Sequence, residues 1–148
     1  MIGLDVGDRR IGIAAADGLG ITAQGLPTLE RRKPAEDLDA LIRILNERKA
    51  SKLVVGLPKN MDGSIGFQGE KVQEFIQSLL ERIREAGSAL PEVIYWDERL
   101  TTVAAHRTLL EADVSRKKRK GVVDKLSAVL ILQGYLDREA RKKLQKQD

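Results

Sequence analysis

The sequence predicts an α/β fold, a mixed five-stranded sheet with helices on both faces. Two observations lead there. The chain opens with three short apolar, β-prone runs separated by turn residues. The remainder alternates apolar strands with amphipathic helices. A length of 148 residues suits one domain spanning 1–148, with little room for a second.

The elements follow in order. Met1–Val6 is short and apolar and ends at Gly7-Asp8. Ile11–Ala16 is a second apolar run, so Gly-Asp between the two signals a hairpin with a loop of about four residues. Ile21–Leu29 is a third extended piece, interrupted by Gly25 and Pro27, and completes an antiparallel meander. Pro34 sits where a helix favours its first residue, and Leu38, Leu41, Ile42 and Leu45 recur at helical spacing, giving a helix over Pro34–Lys49. Lys52–Leu57 reads as a buried strand and Pro58–Gly66 as a loop rich in Gly, Asn, Asp and Ser. The stripe Val72, Phe75, Ile76, Leu79, Leu80, Ile83 marks a helix that stops at Gly87. Val93–Trp96 is a further strand. A helix capped by Thr101 or Thr102 comes next, then a basic loop over 112–121 and a last helix over Val122–Lys143.

Composition narrows the function. There is no cysteine, which removes disulfides, thiolate zinc sites and a cysteine nucleophile. A single histidine, His106, excludes any site needing two, and within its helix it reads as a surface or half-buried residue rather than a proton shuttle. Five aromatic residues are too few for a stacking platform along a single strand. No run approaches the ~18 apolar residues of a membrane span, and the N-terminus lacks the pattern of a secretory signal. A cytoplasmic protein without membrane partners is the default expectation.

Charge is uneven. Residues 1–115 carry 15 Lys/Arg against 18 Asp/Glu, whereas residues 116–148 carry 11 against 4. The densest run is Arg116-Lys117-Lys118-Arg119-Lys120; Arg138, Arg141, Lys142, Lys143 and Lys146 form a second group. A basic end on a slightly acidic body points to a polyanion, nucleic acid above all. A solvated loop and a frayed helix end are the plainer alternative.

Three carboxylates stand out by placement. Asp5 lies inside the first apolar strand, where a carboxylate is unfavourable unless paired or bound to metal. Glu98 follows the Val93–Trp96 strand. Asp124 opens the last helix, with the small Ser127 and Ala128 one turn on to let that helix approach the sheet. Each has a local alternative. Asp5 pairs with Arg9 or Arg10 across the hairpin, Glu98 is a solvated strand-end charge, and Asp124 is a helix N-cap. Only convergence makes a site, and three clustered carboxylates need a cation to offset their repulsion. An all-oxygen set suits Mg²⁺ or Mn²⁺ rather than zinc.

Four blocks carry a resemblance. They are Asp5-Val6-Gly7-Asp8-Arg9-Arg10-Ile11-Gly12-Ile13-Ala14, Val54-Val55-Gly56-Leu57-Pro58-Lys59-Asn60-Met61-Asp62-Gly63-Ser64, Asp97-Glu98-Arg99-Leu100-Thr101-Thr102, and Val123-Asp124-Lys125-Leu126-Ser127-Ala128-Val129-Leu130-Ile131-Leu132-Gln133. In sequence and order they resemble the YqgF (RuvX) proteins of the RNase H-like superfamily. The first strand starts almost at Met1, where family members often carry several residues before the aspartate. The resemblance implies an RNase H-like sheet and a metal site built by Asp5, Glu98 and Asp124. It also implies a nuclease that matures the 5′ end of pre-16S ribosomal RNA, or alternatively a Holliday-junction resolvase.

On that reading two cations about 4 Å apart flank one phosphate, with Asp5 as the bridging ligand and Glu98 and Asp124 each holding one side. Arg9, Arg10, Lys59, Asn60 and Arg99 are candidate phosphate contacts, and Gly63 lets its loop approach the substrate. Thr101 and Thr102 offer hydroxyls and a helix N-terminus, or simply cap the helix. The Arg116–Lys120 run adds longer-range attraction, and with about 5 phosphates neutralised the log–log salt slope is near −4. Partners are structured RNA or branched DNA, with the protein a monomer or weak homodimer. Two other classes compete. One is a non-catalytic nucleic-acid-binding module in ribosome assembly or transcription. The other is an actin-like phosphotransferase, whose fold needs two such domains.

Overall fold

The computed structural model describes residues 1–100 and 116–147, with side chains for 1–100 and 126–146. Five strands form one sheet: β1 (Ile2–Val6), β2 (Arg10–Ala16), β3 (Ala23–Glu30), β4 (Lys52–Leu57) and β5 (Glu92–Asp97). Their spatial order is β3-β2-β1-β4-β5. β1 pairs antiparallel with β2 and parallel with β4; β2 pairs antiparallel with β3, and β4 parallel with β5. Among the described residues three long helices are α1 (Pro34–Glu47), α2 (Phe67–Glu85) and α3 (Arg116–Gln147), and a 3₁₀ turn covers Glu98–Leu100. This is the mixed sheet the sequence predicts, with the meander and both parallel strands in place.

Side chains alternate along each strand, so each face has its own core. Ile2, Leu4, Ile11, Ile13, Leu53, Val55 and Leu57 pack with α1 and α2 through Leu38, Leu41, Val72, Ile76 and Leu79. Ala14, Val54 and Trp96 pack on the other face with Ala128, Ile131, Leu132, Tyr135 and Leu136 of α3. The small residues have the expected consequence. A Cβ on Gly3 would stand 2.8 Å from Leu132 Cβ and 3.2 Å from the Ala128 carbonyl oxygen, so α3 lies almost directly on the backbone of β1. Further along α3, Lys52 at the start of β4 donates to the Tyr135 hydroxyl at 3.5 Å. The helix therefore runs antiparallel to β1 and β4, and its earlier turns lead toward the strand ends.

Several boundaries move. Ile21 belongs to a turn rather than to β3, because Asp17 accepts from the Ile21 amide and the Thr22 hydroxyl, both at 2.8 Å. α2 begins at Phe67, with Gly66 at its cap position and no side-chain cap to announce it. The larger correction concerns residues 116–121, read as part of a basic loop. Arg116–Lys120 form the first turns of α3. Arg and Lys are strong helix formers, and one internal glycine, Gly121, costs only about 1 kcal/mol in a helix of 32 residues. Asp124 consequently does not open the helix. It sits inside it, which excludes the N-cap reading.

Candidate metal centre and nucleic-acid interface

Asp5 stands on β1, which has a strand on each side. Gly3 faces α3, and alternation puts Asp5 on that same face, where it is 9% exposed. Its direct partner on β2 is Gly12. The hairpin pairing considered for Asp5 fails for Arg10, whose Nε is 2.8 Å from Glu30 Oε1. Arg9 is exposed on the turn and has no ion pair among the described residues.

Glu98 is the first residue after β5 and is half-buried, not a solvated charge. A Cβ on Gly56 would lie 2.8 Å from Glu98 Oε1 and would overlap Ile131 Cδ1 of α3. The Glu98 carboxylate thus reaches back over β4 on the α3 face. β4 lies between β1 and β5, and Gly56 comes one step beyond the Leu4–Val55 pair, level with Asp5. Two carboxylates therefore share one face at the strand ends, separated by a strand position that has no side chain. Gly56 stands in the second resembling block with no expected role of its own. A glycine inside an otherwise apolar strand is itself the signal of a close approach.

Asp124 lies on α3, and its side chain is outside the described residues. Among the described residues no three His, Cys, Asp or Glu side chains converge as a metal site. Thr101, Thr102 and His106 also lie outside the described residues, as do the side chains of Arg116, Lys117, Lys118, Arg119 and Lys120.

The loop after β4 is built from its own polar groups. The Asn60 amide donates to the Ser64 carbonyl at 2.9 Å, and Asn60 Nδ2 to Ser64 Oγ at 3.0 Å. Asp62 accepts from the Ser64 amide at 2.9 Å and from its hydroxyl at 2.6 Å. Gly63 has φ of 90°, so the turn itself requires glycine there. Met61 at the tip is fully exposed. Arg99 ties this loop to β5. Its guanidinium holds Asp97 Oδ2 at 2.8 Å and donates to the carbonyls of Asn60 at 3.4 Å and Met61 at 3.3 Å. Lys59 Nζ lies 4.0 Å from the same Asp97 oxygen. Of the predicted phosphate contacts, Asn60 and Arg99 are thus engaged in shaping the loop.

The Arg99 hydrogen bonds hold the Asp97 carboxyl below the usual aspartate range. A depressed folded pKa adds stability above the ordinary aspartate value of 3.8 and loses it as pH falls through the lowered value. In Arg99→Ala, amide exchange at Asn60, Gly63 and Ser64 is expected to rise about tenfold at neutral pH. Its melting temperature is expected below wild type at pH 7, with the gap narrowing in acid. Exchange and melting equal to wild type would show that Arg99 does not hold the loop.

A family model described as "RuvX: Holliday junction resolvase" matches residues 1–138. A Clostridium novyi protein named "Putative pre-16S rRNA nuclease" is 53% identical over 137 residues, covering 93% of this chain and 97% of that protein. A Clostridium tetani protein of the same name is also 53% identical over 137 residues, covering 93% and 95%. Thermus thermophilus RuvC solved with a Holliday junction substrate superposes with a TM-score of 0.55 at 14% identity, covering 94% of this chain and 96% of that one. The yeast mitochondrial Holliday junction resolvase Ydc2 superposes at 0.50 and 11%, covering 96% and 79%. At those identities the structural likeness is one of fold, the RNase H-like resolvase fold. The match along nearly the whole chain and the identity to the clostridial proteins settle the family: this chain belongs to the RuvX family.

Proposed function

We propose that this protein is a metal-dependent nuclease that hydrolyses phosphodiester bonds of structured RNA, maturing the 5′ end of pre-16S ribosomal RNA in the cytoplasm. The observation that carries the reading is the pair of carboxylates on one face, Asp5 and Glu98, with Gly56 between them. The helix register supports Asp124 as the third donor. Ala128 lies over Gly3, and position 124 precedes it by one turn, about 6 Å. Asp5 lies two residues beyond Gly3 on the antiparallel strand, about 6.6 Å. The two steps match. The names of the clostridial relatives support the substrate.

The donor set suits a hard divalent cation. Every candidate ligand is a carboxylate oxygen, and Gly56 lets the Glu98 carboxylate reach over β4 where a side chain would stand. Bound Mg²⁺ or Mn²⁺ supplies Lewis acidity, which makes a water nucleophilic near neutral pH and offsets charge on the leaving oxygen. The protein's own residues do the rest. Asp5, fixed by a strand paired on both sides, would hold the cation together with Glu98 and Asp124. No side-chain nucleophile is required of a chain with no cysteine. Arg9 and Lys59 neutralise substrate phosphates beside the carboxylates.

The test compares cleavage of a pre-16S precursor with cleavage of a four-way DNA junction in Mg²⁺ or Mn²⁺, each against Asp5→Asn. Cutting of the precursor is expected. Preferential cutting of the junction would favour a resolvase, which needs a symmetric dimer for two cuts. No cutting above a triple-carboxylate variant would leave a binding module. Among the described residues no helix is long and apolar enough to cross a membrane.

The helical state of Arg116–Lys120 also changes an expectation. Successive positions step about 100° around a helix, so only about three of the five, such as 116, 119 and 120, share a side. Replacing all five by Gln is expected to flatten the log–log salt slope by about 2 to 3 rather than 4. An unchanged slope would remove the run from the interface.

A further inference from the structure

A cleft of about 600 Å³ opens on the face of the sheet opposite Asp5, against α1 and α2, at the β1–β2 turn. That volume is of the size that holds a nucleotide. Resting on the nuclease reading, we propose that this cleft holds the phosphodiester backbone of the RNA flank leaving the cleavage site.

Its charges are arranged for an anion. Arg31 forms the floor: its guanidinium donates to the Gly7 carbonyl at 2.8 Å, lies 3.4 Å from Asp37 Oδ2 and stacks 4.8 Å from the Phe75 ring centre. Asp37 is 3% exposed and also accepts from the Arg32 amide at 2.8 Å, so its charge is consumed in the wall. Arg10 takes Glu30, and Lys71 takes Asp8 at 3.5 Å. Once these pairs are formed, the Arg9 and Arg32 guanidiniums are left without an ion pair among the described residues. Glu74, exposed at the rim, is the one remaining carboxylate of the lining. Guanidinium forks are matched to phosphate oxygens.

Position completes the argument. Gly7 lies two residues beyond Asp5, so the turn that carries Arg9 separates the two faces by less than about 7 Å of chain. A strand cut at Asp5 passes over this turn and descends into the cleft. Arg31, half-buried between Gly7 and Asp37, keeps the turn in register with α1.

The experiment measures binding in an Asp5→Asn background, where turnover does not interfere. Precursor RNAs with a flank of about two and of about ten nucleotides are compared for the parent and for Arg32→Ala. The variant is expected to bind the long-flank RNA about fivefold more weakly, with its salt slope reduced by about 0.7, and the short-flank RNA as the parent does. Arg32→Lys is expected to keep the slope. Equal affinity, or equal loss on both RNAs, would overturn the proposal, as would displacement of RNA by a nucleoside monophosphate regardless of flank. These are binding readouts. A wild-type protein that cuts neither RNA nor DNA would therefore sink the nuclease reading and leave the cleft separately decided.

Discussion

Replacing Asp5 by Asn is expected to abolish cleavage, by about a thousandfold or more, while the fold stays intact. The change is isosteric, and the β1 backbone keeps its ladders to β2 and β4. What disappears is the negative charge at the most rigid point of the candidate metal centre. A loss of about 4 kcal/mol in transition-state stabilisation corresponds to about a thousandfold in rate. Thermal unfolding separates this from a packing defect. Without divalent cation the Asn variant is expected to melt cooperatively and within a few degrees of wild type, because the change is isosteric and leaves the β1 ladders in place. With Mg²⁺ or Mn²⁺ at ten times its Kd, wild type is expected to gain about 1.4 kcal/mol and the variant little. Full activity in Asp5→Asn would refute its role in cleavage. A metal-induced shift retained in full would refute the ligand.

Much of this was legible in the sequence, for identifiable reasons. Lys52–Leu57 could be bounded to the residue because an apolar β-branched run ends at Pro58. The placement of Asp5 and Glu98 at strand ends followed from an acid inside one apolar run and an acid after another. What was not legible depends on contacts distant in sequence. The charge pattern of Arg116–Lys120 is compatible with a loop or a helix, and propensity sustained over a long helix decided between them. The burial of Asp37 beside Arg31, and the tie from Arg99 to the Asn60 and Met61 carbonyls, join residues that no local pattern links. The positive φ of Gly63, which the turn requires, is likewise invisible in a local pattern.

The role of Gly56 is separable from packing by a pair of substitutions. In Gly56→Ala the new Cβ meets two neighbours, Glu98 Oε1 at 2.8 Å and Ile131 Cδ1. The first is a candidate ligand and the second is core, so one methyl group perturbs both chemistry and stability. Overpacking of this kind costs about 1–3 kcal/mol. Ile131→Val deletes the Cδ1 atom and nothing nearer the carboxylate. In Gly56→Ala/Ile131→Val the core has room for the methyl group, and much of the lost stability is expected to return. Cleavage is not, because Glu98 Oε1 still stands where the Cβ must go, and the carboxylate is pushed off the face it shares with Asp5. The expected signature is a melting temperature that recovers while the rate stays about a hundredfold or more below that of Ile131→Val alone, the scale on which a small misplacement of a catalytic group is felt. If stability and rate recover together, Gly56 is a packing glycine and Glu98 is not positioned through it. If neither recovers, the collision with Glu98 dominates the fold as well, and Gly56→Ala/Glu98→Gln distinguishes the two, since the neutral amide moves aside more readily than a carboxylate held by a cation.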